Sequence, residues 1–158
     1  MKVKDVMTEA PYYCQPETNL GSATELMWNA DCGFLPVRSV DGKVVGVVTD
    51  RDICIAAATR SLEPARILVR DAMTHDVATC AEDADLRTAL HALKERRVRR
   101  LPVVNRHDQL VGVLSINDLV SRADCRPGTG LPGEEFLETL RGICAHPTSL
   151  AVRATVTR

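Results

Sequence analysis

The fold is decided by a stretch that occurs twice, first as VVGVVTDRDI at residues 44–53. Its apolar and glycine residues show no helical period, so they predict a buried strand. The strand ends at a hydroxyl residue, and acidic residues follow where the N-terminus of a helix favours negative charge. The second copy is LVGVLSINDL at residues 110–119. In each copy a hydroxyl residue precedes an aspartate by three positions, and such a pair at a strand-to-helix corner can face one small polar ligand.

These two stretches belong to a longer internal repeat. Shifting the sequence by 66 residues aligns its two halves without a gap. The shift places Asp-x-Met-Thr at residues 5–8 on the same pattern at 71–74, and Leu-Pro-Val at 35–37 on 101–103. Two copies indicate a duplicated unit rather than a solenoid.

Each unit predicts the order strand, helix, strand, strand, helix. In the first unit the strands lie near residues 12–14, 34–40 and 43–49, an Asp-Gly turn joins the last two, and the closing helix covers 50–59. In the second unit a short strand near 78–80 and a closing helix at 116–124 correspond. The first helix of each unit carries an apolar stripe, formed by Leu20, Ala23, Met27 and Ala30 in one copy and by Leu86, Ala89, Leu90 and Leu93 in the other. Its N-cap is Thr18 or Asn19 in the first unit and Asp83 or Asp85 in the second.

The domain boundaries follow from this repeat. We expect the first unit at residues 1–60, a connector at 61–68 and the second unit at 69–124. A proline- and glycine-rich stretch predicts a linker at 125–133. A C-terminal helix is predicted at 134–146, and a tail without a usable period follows at 147–158.

Composition and charge limit the classes of function. With 158 residues the chain has room for one sizeable domain or two small ones packed together. A formal net charge of −1 and an aromatic content of 3% argue against bulk nucleic-acid binding and base-stacking platforms. No apolar run approaches the roughly 18–20 residues that span a bilayer. No signal peptide is visible, so we expect a cytoplasmic protein.

Catalysis and metal binding are not predicted. The six cysteines form no Cys-x-x-Cys pair, which favours small buried side chains over a disulfide framework. A zinc site at Cys14 or Cys80 with a histidine lacks a supporting ligand spacing. A nucleophile elbow, a glycine-rich phosphate loop and a His-Glu-x-x-His pattern do not occur in the sequence. We therefore expect neither catalytic residues, nor metal ligands, nor a required cofactor.

The full pattern resembles a tandem cystathionine-β-synthase (CBS) domain pair of the small bacterial type. It consists of Asp-x-Met-Thr, a helix, Leu-Pro-Val, and Val-x-Gly-Val-x-[Thr/Ser]-x-x-Asp, all present twice within residues 1–124. The resemblance implies an α/β (α+β) fold of two β-α-β-β-α units packed about a pseudo-two-fold axis, with two clefts between them and a C-terminal helix outside the pair. It also implies a homodimer that binds adenosine-containing regulatory ligands such as AMP, ADP or ATP and signals through an effector protein.

The resemblance assigns one cleft to Ser115 and Asp118. The Asp118 carboxylate would accept hydrogen bonds from both ribose hydroxyls, which suits a group that only accepts. Ser115 would face ribose or phosphate. Basic residues just ahead of the Leu-Pro-Val strand would bind phosphate, since the planar guanidinium matches phosphate oxygens. On this basis Arg99 and Arg100 are the expected phosphate contacts, and Tyr12 and Cys32 line the adenine pocket.

The partner cleft is built on Thr49 and Asp52. The repeat gives it uncharged residues where the other copy has two arginines, so we expect the Ser115/Asp118 cleft to suit a phosphorylated ligand better. Its other expected lining residues are Gly33 and Phe34 at the arginine positions, Arg51 as a partial replacement, and Ala78 and Val98 near the base.

Two alternatives remain open from the sequence. In the first, Thr49 and Ser115 only cap their helices, with the two aspartates satisfying first-turn amides. In the second, the whole chain is a ligand-free dimerisation or interaction module whose clefts are vestigial or filled by side chains.

Overall fold

Six strands and five helices are seen in the computed structural model, which describes residues 1–122 and 133–145. In the first unit they are β1 (Thr8–Glu9), α1 (Leu20–Asn29), β2 (Phe34–Arg38), β3 (Val44–Thr49) and α2 (Asp50–Arg60). In the second they are β4 (Cys80–Ala81), α3 (Leu86–Arg96), β5 (Arg100–Val104), β6 (Leu110–Ser115) and α4 (Ile116–Arg122), followed by α5 (Gly133–Cys144). Short 3₁₀ turns lie at Val3–Asp5, Pro64–Arg66 and Val69–Asp71.

The N-caps left open by the sequence are Asn19 and Asp85. The Asn19 side chain accepts a hydrogen bond from the Ser22 amide at 2.9 Å, and Asp85 accepts one from the Arg87 amide at 2.9 Å. Each bond satisfies an amide that has no partner inside its own helix.

The local predictions differ from the structure mainly at short strands. The strand expected near residues 12–14 is reduced to an isolated bridge between Cys14 and Val37, and β2 ends at Arg38. Residues 123–124, the linker as far as residue 132 and the tail from 146 onward lie outside the described residues. The C-terminal helix ends at Cys144.

The two units are interlocked through their opening segments. Strand β1 of the first unit pairs with β6 of the second, with Thr8 opposite Val113. The reverse exchange joins Thr74 to Val47, whose amides and carbonyls form hydrogen bonds of 2.9 and 3.0 Å. One sheet therefore has the order β1-β6-β5-β4, and β2 and β3 form a second sheet. The Ser115 and Thr49 ends of these strands consequently meet at the junction between units.

Glycine in the repeated strand makes this crossing possible. A Cβ atom on Gly46 would lie 2.5 Å from Met73 Sδ, and one on Gly112 would lie 2.5 Å from Met7 Sδ. The methionine of each Asp-x-Met-Thr segment therefore packs against the glycine of the other unit. This explains why Met-Thr and Gly recur together in the repeat.

Each unit has its own apolar core. Leu20, Leu35 and Val48 are fully buried in the first, and Leu90, Leu101 and Leu114 are buried in the second. Helix α5 adds Phe136 and Ile143 to the second core. No helix in the described part of the chain is both long and apolar enough to cross a bilayer.

Candidate functional site

The corner between β3 and α2 is held by a reciprocal capping box. The Thr49 amide and hydroxyl donate to Asp52 Oδ2 at 2.9 and 2.7 Å, and the Asp52 amide donates to Thr49 Oγ1 at 3.2 Å. Asp52 Oδ2 therefore does what the capping alternative predicted, because it bonds to Thr49 within the corner. Within the described residues, Oδ1 of Asp52 makes no hydrogen bond, so one carboxylate oxygen is left for another donor.

The corner between β6 and α4 repeats this geometry with one addition. Ser115 donates from its amide and its hydroxyl to Asp118 Oδ2 at 2.8 and 2.6 Å, and the Asp118 amide donates to Ser115 Oγ at 3.1 Å. Here the Thr8 hydroxyl also donates to Oδ1 of Asp118 at 3.0 Å. Both oxygens of Asp118 thus have a protein partner.

A cleft of about 590 Å³ opens at the first corner, and we call it the first cleft. Both units contribute to its walls, because residues preceding β5 face the start of α2. It falls in the size range of small-molecule sites. Its lining residues include Gly33, Phe34, Thr49, Asp50, Arg51, Asp52, Thr74, Asp76, Ala78, Arg97, Val98, Arg99, Arg100 and Ile143.

A second cleft of about 350 Å³ opens at the other corner. It is smaller than the first cleft, and most of its wall is apolar or aromatic. The residues that line the second cleft are Thr8, Glu9, Ala10, Pro11, Tyr12, Ala30, Cys32, Phe34, Pro36, Arg100, Val113, Ser115 and Asp118.

The position of Arg99 differs from the prediction. The sequence placed Arg99 beside Ser115, but in the structure Arg99 lines the first cleft together with Thr49 and Asp52. Arg99 lies in a bend just before β5, outside the strand whose first residue pairs with Ser115. Arg100 is directly opposite Ser115 in the ladder and lines both clefts, whereas Arg99 lines the first cleft and not the second. The first cleft therefore has a guanidinium that the sequence assigned to the second, and which cleft suits a phosphorylated ligand better stays a prediction.

Arg100 and Phe34 lie at the boundary between the clefts and line both of them. The Arg100 guanidinium carbon is 5.9 Å from the centre of the Phe34 ring, within the range of a cation–π contact. These two residues correspond under the repeat. They therefore mark the pseudo-two-fold axis of the pair.

The family follows from the comparison with known proteins. A family model described as CBS domain matches the chain twice, over residues 3–58 and 69–124. The chain belongs to the CBS-domain family. Its fold is the CBS-pair module with an added C-terminal helix, as the sequence predicted.

Relatives of this CBS pair differ widely in length. Inosine-5'-monophosphate dehydrogenase of Methanocaldococcus jannaschii is 32% identical over 76% of this chain, which spans only 22% of that enzyme. Hypoxic response protein 1 of Mycobacterium tuberculosis is 26% identical, and the match covers 94% of this chain and 96% of that protein. The crystal structure of CBSX2 of Arabidopsis thaliana in complex with AMP has a TM-score of 0.65 and 28% identity, and covers 76% of this chain and 93% of that one.

Sequence reasoning missed several residues of the clefts in this CBS pair. Thr8 and Asp118 lie 110 positions apart, and no local spacing reveals that they form a hydrogen bond. The signal available was the recurrence of Met-Thr in both opening segments. Arg97 follows α3 directly with a left-handed φ of 52°, and it also lines the first cleft.

The cysteines of the CBS pair differ in their burial. Cys14 and Cys80 are buried, and burial raises the pKa of each thiol to about 12 because the thiolate loses its hydration. Cys54 and Cys144 are exposed, contrary to the expectation of buried cysteines. Among the described residues, no three His, Cys, Asp or Glu side chains are grouped so that they could hold a metal ion.

Proposed function

We propose that this CBS pair binds an adenosine-containing ligand between its two units and acts as a regulatory module without catalytic activity of its own. The observation that carries the proposal is the Asp52 carboxylate. It lies in a cleft of about 590 Å³, and its Oδ1 atom makes no hydrogen bond within the described residues. The AMP complex of a CBS-pair neighbour supports the same ligand class.

The chemistry of the first cleft matches a nucleotide part by part. A carboxylate accepts hydrogen bonds only, and a ribose diol donates two. Arg97 and Arg99 supply planar guanidinium groups that can donate in pairs to phosphate oxygens. The remaining wall at Ala78 and Val98 is apolar and suits a purine ring.

Regulation follows if the ligand prefers one arrangement of the two units. Both units supply walls of each cleft, so a bound ligand contacts both of them at once. A ligand shifts a conformational equilibrium only by its difference in affinity for the two arrangements. The partner that receives this signal would be a separate protein or a second copy of the chain.

Thermal unfolding in the presence of nucleotides tests the proposal. We expect AMP, ADP or ATP to raise the unfolding midpoint. At about 100 times the dissociation constant the stabilisation should be roughly 2.7 kcal/mol. The Asp52→Asn variant should lose most of this gain and keep a native circular dichroism spectrum, because asparagine can retain the capping bonds to Thr49.

The matched control compound is 2'-deoxy-AMP. It lacks one of the two hydroxyls from which Asp52 would accept hydrogen bonds. Its binding free energy should be weaker than that of AMP by about 1.5–3 kcal/mol, the value of a hydrogen bond to a charged group, so at the same concentration it should give only part of the stabilisation. If no adenosine compound shifts the midpoint, a ligand-free interaction module is the correct description.

A further inference from the structure

We propose that the two clefts select ligands of different charge: a phosphorylated adenosine compound in the first cleft, and an adenosine compound without phosphate in the second. The inference rests on the proposed function and adds which class of ligand each cleft takes. It derives from a comparison of the clefts position by position, which the 66-residue repeat allows.

Most lining positions of the two clefts correspond. Thr74, Val47 and Pro102 in the first cleft have Thr8, Val113 and Pro36 as counterparts in the second. The two clefts are therefore built on corresponding backbone positions. Differences between them come from side chains and not from the course of the backbone.

Three arginines of the first cleft have no basic counterpart. Arg51 corresponds to Asn117, Arg97 to Asp31, and Arg99 to Gly33. The pair Arg97 and Asp31 is particularly informative, because both residues lie just after the end of their helices with a left-handed backbone, at φ values of 52° and 48°. The same backbone position thus carries opposite charges in the two units.

Ion pairing strengthens the positive character of the first cleft. Four arginines and three aspartates line it. One of the acids, Asp76, is 2.9 Å from Arg96, which lies outside the lining and offsets its charge. With Asp76 paired, the four arginines face two remaining carboxylates, those of Asp50 and Asp52. The lining therefore keeps an excess of positive charge, which favours phosphate.

The second cleft has the opposite balance. Glu9 and Asp118 face a single arginine, Arg100, which is shared with the first cleft. The Thr8 hydroxyl occupies Asp118 Oδ1 at 3.0 Å, and the exposed Tyr12 contributes an aromatic wall. A phosphate group would meet carboxylates here with little compensation. An uncharged nucleoside would instead keep the stacking and apolar contacts.

Binding of AMP and of 5'-methylthioadenosine, which carries no phosphate, tests this division by titration calorimetry. The Arg97→Gln, Arg99→Gln double variant should weaken AMP binding about tenfold or more, since hydrogen bonds to a charged group contribute at least that factor. It should leave 5'-methylthioadenosine binding unchanged. Tyr12→Ala, a change at an exposed side chain, should show the reverse pattern. The control Arg106→Gln removes one arginine charge in the β5–β6 turn, away from both clefts. It should change the affinity for neither ligand.

A gain-of-function variant completes the test. Asp31 adjoins Cys32 of the second cleft's wall, and Asp31→Arg puts there an arginine at the position that corresponds to Arg97, on a backbone with the same left-handed conformation. It should create a second AMP site per chain.

The proposed division of ligands between the clefts is overturned if AMP affinity falls in Tyr12→Ala and not in the arginine variant, or if the two ligands compete for one cleft. If both ligands bind and every cleft variant weakens both equally, only the division fails. If neither ligand binds the unmodified protein, the proposed function itself fails.

Discussion

At the scale of single residues, Gly46 and Gly112 decide how the units fit together. Each glycine leaves the space into which a methionine of the other unit inserts. Next to the Gly112 position there is also backbone, because the Thr8 carbonyl oxygen would be 3.0 Å from an added Cβ atom. A flexible methionine can move aside, but a strand that is hydrogen-bonded to β6 cannot do so without losing its register.

Gly112→Ala should therefore destabilise the protein. We expect a loss of about 1–3 kcal/mol in the free energy of unfolding, typical of an overpacked core. Thermal or urea unfolding measures it. The matched control is Gly133→Ala at the start of α5, where an added Cβ atom meets nothing within 4 Å. Equal midpoints for the Gly112→Ala variant and the unmodified protein would show that the opening segment does not pack on β6 as described.

At the scale of elements, α5 is a helix outside the repeat. It packs along α3, where Arg87 is 3.2 Å from Glu135 and Lys94 forms an ion pair with Glu138. At its end, Ile143 reaches the wall of the first cleft. The end of the helix thus forms part of the wall of that cleft, although the sequence pattern assigns the helix to neither unit.

The Lys94–Glu138 pair gives the docking of α5 a pH dependence. The hydrogen bond from Lys94 lowers the pKa of the Glu138 carboxyl below 4.5, and it raises the pKa of the Lys94 amine above 10.5. Stability from a lowered carboxyl pKa is present above the ordinary value and is lost as pH falls through the lowered one. Stability from the raised pKa of the Lys94 amine is present below its ordinary value and is lost as pH rises through the raised one. The contribution is small, because both groups are exposed to solvent.

We expect Glu138→Gln to lower the unfolding midpoint slightly at pH 7. The difference from the unmodified protein should shrink as pH falls below 4.5, where Glu138 itself becomes protonated. The charge-swapped double variant, Lys94→Glu with Glu138→Lys, should recover most of the loss at pH 7. A deficit in the double variant equal to the sum of both single changes would mean that the pair does not interact.

At the scale of the whole molecule, the two units are not independent domains. Strand β1 has its partner β6 in the other unit, and Thr74 is bonded to Val47 across the same junction. Separating the units would expose Gly46 and Gly112 together with unpaired backbone groups, which are costly to leave without partners. Each cleft would also lose one of its walls.

Residues 1–68 produced alone should therefore fail to unfold cooperatively as a monomer. Mixing this fragment with residues 69–158 should restore a cooperative transition and the native circular dichroism spectrum. The reason is that Met73 packs on Gly46 and Thr74 pairs with Val47, and both of these partners of the first unit lie in the second fragment. Cooperative unfolding of the isolated first fragment, at a concentration where it is monomeric, would contradict the interlocked arrangement.

The sequence by itself determined the repeated unit, its helices and the two capped corners. These features depend on contacts between residues close in the chain, such as Thr49 with Asp52, and local spacing reports such contacts directly. Only the tertiary structure decided which opening segment pairs with which strand, and that Arg99 belongs with Asp52 and not with Ser115. Those outcomes depend on contacts between residues that are far apart in the chain and belong to different units. Because both copies carry the same pattern, a duplicated sequence is equally consistent with an opening segment that pairs within its own unit and with one that pairs with the other unit.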